Sequence, residues 1–408
     1  MSNKKNYYRY FKAIPKGIWA LGCVSMFTDI SSELIFSILP IFMVSTLGAS
    51  MTSVGLIEGI AEGATLIVKI FSGSISDMLG KRKWVAVIGY GISAFSKPLF
   101  PLAHSLIGVF FARFFDRIGK GIRGAPRDAL IGELAPAEIR GACFGLRQSL
   151  DNVGAVGGPL LGILLMYLLM DNIPLVFWIA TIPGFISVAI LIFFVKEPKR
   201  RKERKFKSIS IKQEKLRIKS LNFNYWKLVG IGFVLTLARF SQAFLILKAQ
   251  ASGLLLTLIP IVLVVMNIFN AFSGYPAGIL SDMINRKFIL LIGVVFLILA
   301  DVVLGFSSNL WMVFLGISLW GLHMGFTEGL LATIITDTTH ADTRGTAYGV
   351  YNFINGIGVL LASLIAGILW DRFGSIGTFL VGAIISIFAF ILISIAFESQ
   401  LRIRKIEK

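Results

Sequence analysis

Long apolar segments recur from residue 18 to residue 397, and they limit the possible folds more than any other feature of the chain. Most of them are close to the about 20 residues that a helix needs to cross a bilayer. Of the 408 residues, 56 % are hydrophobic and only 15 % are charged. We therefore predict an all-α membrane protein with twelve transmembrane helices. The predicted spans are residues 18–46, 52–77, 84–103, 106–132, 141–168, 173–195, 225–248, 254–280, 288–306, 309–335, 345–369 and 376–397.

The chain offers few residues for covalent or metal chemistry. Cys23 and Cys143 both fall inside predicted spans, so we expect neither a disulfide nor a thiolate metal site. No HExxH, Walker or zinc-spacing pattern occurs, and we predict no metal and no cofactor. The first apolar segment is too long for a cleavable signal, and no small-residue cleavage site follows it. An enzyme is disfavoured because no nucleophile–base pair or metal-ligand set is evident.

The net charge of +18 is distributed in a way that membrane topology explains. Segment Lys196–Lys219 holds twelve Lys or Arg and three Glu. Its net charge is therefore 12 − 3 = +9, half of the total of +18. Every second connection is nearly bare of charge instead, for example Ser45–Ser53 and Pro98–Ser105. By the positive-inside rule, both termini of this multi-pass protein lie in the cytoplasm. We therefore expect the lipid bilayer as a partner and no nucleic acid.

Two sequence patterns repeat between the halves of the chain. GSISDMLGKRK at Gly73–Lys83 recurs as GILSDMINRK at Gly278–Lys287, with an offset of 205. The segment that begins at Arg140 recurs from Arg344, with an offset of 204. Parallel six-helix halves place a solute site near the membrane midplane between them. We predict two pseudo-symmetric six-helix bundles joined by a basic cytoplasmic linker, with boundaries at residues 1–195, 196–224 and 225–408.

The most charged stretch inside the predicted spans is Arg113–Asp128, with seven charged residues. A charge at bilayer depth costs about 2.5–3.5 kcal/mol even on the lenient insertion scale, so it is normally paired or lines a watery cavity. We interpret the stretch as one wall of a substrate pathway, with three cations as candidates for substrate binding and one carboxylate for proton coupling. On a helix these four residues share one face: Arg113, Arg117, Lys120 and Asp116.

Three further carboxylates are candidates for proton coupling. Asp29 and Glu33 lie four residues apart in the first span and therefore share a helix face. Two carboxylates that lie close together outside bulk water favour proton binding by one of them. They either form a switchable network with the cations of the fourth span or a permanent ion pair needed for assembly. Glu328 is the third candidate, because no partner is evident on its own helix.

Other charged residues inside the spans allow a structural and a functional interpretation. Glu58, Glu62 and Lys69 in the second span are predicted to form an ion-pair network, and the structural role is slightly favoured for them. Arg147 and Asp151 in the fifth span form an i,i+4 pair, for which both roles stay open.

The polar groups of the second half are sparse. Arg239, Gln242 and His323 are candidates for substrate binding. A lone buried histidine is more often a packing residue with its hydrogen bonds satisfied than a proton relay, and this is the favoured interpretation of His323. Because the first half is ionic and the second mostly apolar, aromatic and amide, we infer that coupling chemistry belongs to the first.

Over essentially its whole length, the chain resembles the major facilitator superfamily. Within that family, its sequence is similar to those of a bacterial inner-membrane subgroup. The resemblance implies two six-helix bundles, alternating access for a small-molecule substrate, and a monomer. In the family, the loop motif is linked to gating. This sequence departs from the family's pattern at Met78, where an arginine is common. The alternative is a plain positive-inside loop. The matching residues are Gly73, Asp77, Gly80, Lys81 and Arg82, with Asp282 and Arg286 in the second copy.

Two further motifs resemble those of the family. Arg117-x-x-Lys120-Gly121 in the fourth span looks like a motif linked to proton coupling. In the fifth span, a glycine–proline motif resembles that of antiporters and slightly favours export, although close helix packing alone explains it. Its residues are Gly154, Gly158, Pro159 and Gly162.

These patterns favour a proton-coupled secondary transporter of a small amphiphilic organic solute that carries an anionic group. The surplus of cations in the fourth span points to the anion, because buried cations left unpaired are costly. Organic acids, siderophore-type chelates and drugs with an acidic group all fit. Export is slightly favoured, import of an anionic metabolite or chelate is the alternative, and a non-transporting membrane sensor is a third possibility.

Overall fold

The computed structural model describes residues 13–197, 221–339 and 343–406, and these residues form helices and connections without a β-strand. The predicted linker therefore falls largely outside the described residues, as do the side chains of Asp77 and Asp282. In chain order the helices are α1 (Lys16–Phe36), α2 (Met51–Leu79), α3 (Arg82–Ser96), α4 (Leu106–Leu134), α5 (Arg140–Leu168), α6 (Ile173–Phe194), α7 (Phe223–Leu237), α8 (Ala243–Ala251), α9 (Ile261–Met283), α10 (Arg286–Phe306), α11 (Leu310–Thr338) and α12 (Arg344–Ile406).

Seven helical stretches of the described chain are long and apolar enough to cross a membrane. The all-α, multi-span prediction is confirmed, whereas the count of twelve spans stays a prediction. The predicted seventh span is interrupted between Leu237 and Ala243, and α12 contains a break at Gly374, whose φ of 70° suits glycine. The seven stretches are Lys16–Thr46, Ala137–Leu168, Ile173–Phe194, Leu256–Ser281, Arg286–Phe306, Leu310–Glu328 and Arg344–Ile395.

The internal repeat is visible in where equivalent helices begin. α3 and α10 start 204 residues apart, at Arg82 and Arg286. α4 and α11 also start 204 residues apart, and each is capped by the residue before it. Ser105 accepts a hydrogen bond from the backbone N–H of Gly108, and Asn309 accepts one from that of Met312. A side-chain oxygen at this position satisfies an otherwise unpaired N–H of the first turn.

Contacts divide the chain into two compact units. The first unit contains Met1–Leu39 and Ile67–Lys207, and within it α1 packs on α5 and α6 while α3 packs on α4. The second contains Pro40–Leu66 and Ser208–Lys408, where α11 packs on α9 and α10, and α12 on α7 and α10. The division falls inside α2. The predicted domain boundaries stay predictions; by contacts, residues 40–66 belong with the second unit.

Within the second unit, the first half of α2 lies against α12 through a line of glycines. A Cβ atom added at Gly55 would lie 2.1 Å from the carbonyl oxygen of Ser363. Added at Gly59 and Gly63, it would lie 2.9 Å and 2.7 Å from backbone carbonyl oxygens of α12. Because no other residue type leaves this room, the glycines are what allows the two backbones to touch.

The start of α2 is held by a carboxylate more than 300 residues away in the chain. Asp371 Oδ1 accepts a hydrogen bond from the N–H of Met51 at 3.0 Å. Asp371 Oδ2 accepts from the N–H of Thr52 at 2.8 Å and from its hydroxyl at 2.6 Å. A carboxylate at a helix N-terminus pairs with the free N–H groups and with the positive end of the helix dipole. Asp371 therefore ties α12 to α2.

Replacing Asp371 by alanine is expected to lower the free energy of unfolding by about 0.5–2 kcal/mol, the usual cost of losing a helix cap. Asp371→Asn keeps one acceptor oxygen, so its free energy of unfolding should lie between those of the wild type and Asp371→Ala. The measurement is thermal unfolding of the purified protein in detergent. The neighbouring Arg372 is exposed, and Arg372→Ala serves as the control. Equal losses in the two alanine variants would show that the cap does not stabilise the protein.

Candidate functional site

α4 carries a buried line of charges in the first unit. Arg113, Asp116 and Arg117 are only 1 %, 2 % and 3 % exposed. Lys120, predicted on the same face, has an exposed side chain one turn further along the helix. On the predicted face, α4 therefore carries three buried charged groups and one accessible cation.

Asp116 is the anion at the centre of the buried part. Lys97 Nζ lies 2.9 Å from its Oδ1 and 2.8 Å from the hydroxyl of Ser32. The Ser93 hydroxyl donates to the same carboxylate, and Arg113 Nη1 lies 3.8 Å from Oδ2. Buried charges are stable when they are paired and hydrogen-bonded in this way. The geometry is that of a fixed ion pair in this conformation.

Sequence reasoning did not assign Lys97 to the site. Lys97 is 1 % exposed and begins the short turn that follows α3, Lys97–Leu99. The available signal was a lysine at the end of an apolar segment, directly before Pro98. That position also suits a lysine whose amine reaches the bilayer surface. Only the packing of α3 on α4 shows that the amine turns inward, toward Asp116.

The close approach of α3 and α4 brings a further cation into the site. A Cβ atom at Gly119 would lie 2.6 Å from the carbonyl oxygen of Gly89, so the two backbones touch there. Just beyond this contact, Arg123 is 4 % exposed and donates from Nη1 to the Ser93 hydroxyl at 3.1 Å. Its guanidinium carbon lies 4.8 Å from the ring centre of Tyr90. The aromatic face stabilises the charge that the site encloses.

Phe36 at the end of α1 faces the arginines of α4. The guanidinium carbons of Arg113 and Arg117 lie 4.4 Å and 5.8 Å from the centre of its ring. Cation–π contacts of this kind are worth about 0.5–2 kcal/mol, more where water is excluded. They also hold the planar guanidinium groups in place.

The glycine–proline motif of α5 lies against the two carboxylates of α1. A Cβ atom at Gly154 would be 2.7 Å from the carbonyl oxygen of Met26 and 2.9 Å from Asp29 Cβ. At Gly158 it would be 2.7 Å from the carbonyl oxygen of Ile30 and 3.1 Å from Glu33 Cβ. The motif therefore lets α5 approach α1 at the turns that carry these carboxylates. Pro159 and Gly162 are buried in the same helix.

Electrostatic interactions join these groups into one cluster. Glu33 interacts with Lys120, Arg117, Arg113 and Asp29. Asp151 interacts with Asp29, Arg127 and Arg147, and it forms an ion pair with Arg147. We call the set the first-unit charged cluster. It has seven cations and five carboxylates: Lys97, Arg113, Arg117, Lys120, Arg123, Arg127, Arg147, Asp29, Glu33, Asp116, Asp128 and Asp151.

Residues of the predicted loop motif form an ion pair, a hydrogen bond and packing contacts with other parts of the first unit. Gly80 has a φ of 65°, which ends α2, and Lys81 precedes α3 with an exposed side chain. Arg82 Nη1 lies 2.8 Å from Glu133 of α4, and the N–H of Lys83 donates to Glu197 at 3.0 Å. Gly73 packs toward Ala125, where an added Cβ would lie 3.4 Å from the alanine Cβ.

The charged residues of α2 differ in their surroundings. Glu58 is completely buried, Glu62 is half-buried, and Lys69 is exposed. Glu58 and Glu62 fall in the second unit and Lys69 in the first, because the division between units follows Leu66. The terminal methylene of Lys69 lies 3.8 Å from the position of a Cβ on Gly124.

The second unit brings together some of its predicted site residues. Arg239 Nη2 lies 3.9 Å from Glu328 Oε1, and Gln242 Nε2 lies 3.6 Å from Met324 Sδ. His323 faces another way: it is completely buried, and its Nδ1 donates to the carbonyl of Gly293 at 2.7 Å. The repeat copy residue Arg286 begins α10 and is half-buried.

Comparison with known proteins identifies the family. The sequence matches the model of the Major Facilitator Superfamily over residues 21–300 and 228–405. The chain belongs to this superfamily. It is 34 % identical over 393 residues to an uncharacterised MFS-type transporter of Methanocaldococcus jannaschii, covering 94 % of this chain and 95 % of that protein. It is 24 % identical to the inner membrane transport protein YajR of Escherichia coli, covering 93 % and 83 %.

The fold agrees with this assignment. The crystal structure of a mutant of the nucleoside transporter NupG superposes with a TM-score of 0.78 at 14 % identity, covering 93 % of this chain and 99 % of that one. At that identity the likeness concerns the fold alone. Members of the superfamily are transporters and not enzymes, so the protein is a multi-pass membrane transporter whose helices adopt the MFS fold.

Adjacent glycines of α5 provide a matched test of the α1–α5 contact in this transporter. Gly158→Ala places a methyl group against the backbone of Ile30 and is expected to lower the free energy of unfolding by about 1–3 kcal/mol, as overpacking does. At Gly157, the nearest atom to an added Cβ is 4.0 Å away. Gly157→Ala should be neutral or stabilise by up to about 1 kcal/mol. Thermal unfolding in detergent measures both; equal effects would contradict the proposed close contact.

The Lys97–Asp116 ion pair predicts strong thermodynamic coupling. Lys97→Met or Asp116→Asn alone leaves a buried charge without its partner, and each should cost about 3–5 kcal/mol. The double variant should lose less than the sum of the single losses. The more accessible Arg82–Glu133 pair is the control and should show a coupling of about 0–1 kcal/mol. Equal coupling energies for the two pairs in unfolding experiments would contradict the buried pair's role.

Proposed function

We propose that this transporter couples the movement of a small amphiphilic organic anion to the movement of protons. The observation that supports this most is the first-unit charged cluster, where cations outnumber carboxylates by seven to five. An excess of positive charge at bilayer depth is costly unless an anion balances it. A transported anion supplies that balance when it is bound.

The arginines and lysine of α4 are the proposed binding site for the anionic group. Arg113 and Arg117 present planar guanidinium groups, which bind carboxylates or phosphates through paired hydrogen bonds. Lys120 is exposed and is one turn from Arg117 on α4. Phe36, already against both arginines, offers an apolar face to the rest of the solute. An amphiphilic substrate fits these two kinds of surface.

Asp29 and Glu33 are the proposed carriers of the proton. While ionised, Glu33 attracts Arg113, Arg117 and Lys120, so it competes with the substrate anion for the same cations. Protonation of Glu33 removes that competition, and the cations become available to the substrate. Binding of the anion and protonation of Glu33 therefore favour each other, a linkage that on its own suits co-transport of solute and proton. Asp116, held by Lys97, and Glu328 in the second unit are the further proton-coupling candidates.

The remaining features rest on the apolar spans, on the charge pattern of the sequence and on what membership of the family implies. We infer twelve spans in two six-helix bundles, both termini in the cytoplasm, and a monomer in a bacterial inner membrane. The glycine–proline motif of α5 favours exchange of the solute for protons, which is export in a cell. Its close packing on α1 is compatible with import as well, so the direction is an outcome of the experiment below.

Transport by purified protein in proteoliposomes tests the proposal. The probe is a defined mixture of aliphatic and aromatic carboxylic acids, hydroxamate chelators, and neutral and cationic analogues of these acids, detected by mass spectrometry. An acid that accumulates under an inside-acid gradient exchanges with protons; accumulation under an outside-acid gradient indicates co-transport and import. Arg117→Ala should weaken the apparent affinity by about 2 kcal/mol, roughly 30-fold. Arg140→Ala, an exposed cation at the start of α5, is the control.

Two results would overturn the proposal. Transport of neutral or cationic solutes only, unaffected by Arg117→Ala, would rule out the anion site. Gradient-driven accumulation that persists in an Asp29→Asn, Glu33→Gln variant would rule out these carboxylates as proton carriers. We expect this variant to exchange the solute down its own gradient but to lose accumulation against it. A protein that moves no solute under any gradient would fit the non-transporting sensor.

A further inference from the structure

Asp301 is a carboxyl group that the charged cluster does not explain. It lies in α10 of the second unit and is 0 % exposed. Within the described residues, neither of its carboxylate oxygens has a hydrogen-bond partner.

The repeat shows that the opposite charge occupies the equivalent position of the first unit. With the offset of 204 that relates α3 to α10 and α4 to α11, Lys97 corresponds to Asp301. Asp116, the partner of Lys97, corresponds to Trp320. A buried ion pair in one unit is thus matched in the other by a carboxyl group and an indole ring.

The surroundings of Asp301 are apolar and tightly closed. A Cβ atom on Gly382 of α12 would lie 2.8 Å from Asp301 Oδ2 and 3.1 Å from the Phe240 ring. Phe240 in turn packs on Trp320 and Phe379, with ring centres 5.1 Å and 5.5 Å apart. In the first unit, a Cβ atom on Gly184 of α6 would lie 3.6 Å from Cγ of Lys97, an ordinary contact. The approach of Gly382 to Asp301 is closer.

Titratable groups on the neighbouring elements interact elsewhere. Lys248 of α8 donates to the hydroxyl of Ser375 at 3.2 Å. His323 of α11 donates to a carbonyl of α10, and Arg239 lies beside Glu328. In the described chain, the charge of an ionised Asp301 would have no counterpart.

We propose that Asp301 is a proton-binding site of the second unit, distinct from Asp29 and Glu33. In the described conformation it is a neutral carboxylic acid, because an ionised carboxylate without water, cation or hydrogen-bond donor is strongly disfavoured in such a place. On the side of α12, Gly382 and the aromatic group around Phe240 close the site. Separation of α12 from α10 admits water, and the acid then exchanges its proton.

Infrared spectroscopy of the purified transporter in lipid tests both parts of the proposal. Protonated carboxyls have a carbonyl stretch that is separate from the bands of carboxylates and amides. The wild-type minus Asp301→Asn difference spectrum isolates the contribution of Asp301, because asparagine has nearly the same size and cannot ionise. We expect this band at neutral pH, and we expect it to shift after transfer to D2O under native conditions.

Each outcome decides the matter. A band that shifts in D2O supports an exchanging proton site. No band from Asp301 would show an ionised group, and a band that never shifts would show a permanently fixed proton; either would overturn the proposal. None of these results depends on the identity of the transported solute, so the proposed anion transport can fail while this proposal holds.

A labelling experiment on the wild-type protein gives the same information without a variant. Dicyclohexylcarbodiimide is apolar and reacts with protonated carboxyls to form a stable N-acylurea. We expect peptide mass spectrometry to find the adduct on Asp301 and not on Asp116, which is paired with Lys97. Brief warming that loosens the helix packing should increase the labelling rate of Asp301. Labelling of Asp116 with Asp301 untouched would contradict the assignment.

Discussion

Charge within the bilayer must be compensated, and the structure of the first unit depends on this requirement. Lys97 and Asp116 neutralise each other, Ser93 and Ser32 supply hydrogen bonds, and aromatic rings cover the arginines. The contacts between α3 and α4 depend on the close approach of the two helices at Gly89 and Gly119. The polar site therefore depends on close helix packing. Larger residues at Gly89 and Gly119 would move α3 away from α4 and would separate Lys97 from Asp116.

The two units contain the same repeat, but buried charge is compensated in the first unit and largely absent from the equivalent positions of the second. Positions 113, 116 and 117 are charged in α4, whereas the equivalents in α11 are Ile317, Trp320 and Gly321. At the equivalent of Gly119 the second unit has His323, whose ring bonds the carbonyl of Gly293. A backbone contact in one unit is thus a side-chain hydrogen bond in the other. The two units share equivalent helices, but the side chains at equivalent positions are ionic in one unit and aromatic or apolar in the other.

Much of the fold could be predicted from the sequence, because apolar length and repeated motifs are local signals. The positions of Arg113, Asp116 and Arg117 on one buried face also followed from helical periodicity. Lys97 was missed, since whether a lysine at a helix end turns inward depends on a neighbouring helix. For the same reason periodicity placed Lys120 with the buried group, while the structure exposes it. Partners that lie far apart in the chain, such as Asp371 and Thr52, leave no local signal at all.

The glycine line between α2 and α12 has a consequence for movement. Most helix contacts interlock side chains, which must find new rotamers each time the helices part and meet again. Along Gly55, Gly59 and Gly63, backbone meets backbone and there is almost nothing to interlock. A contact of this kind could therefore separate and re-form without side chains having to find new rotamers. In a transporter, that makes it a contact suited to many cycles of use.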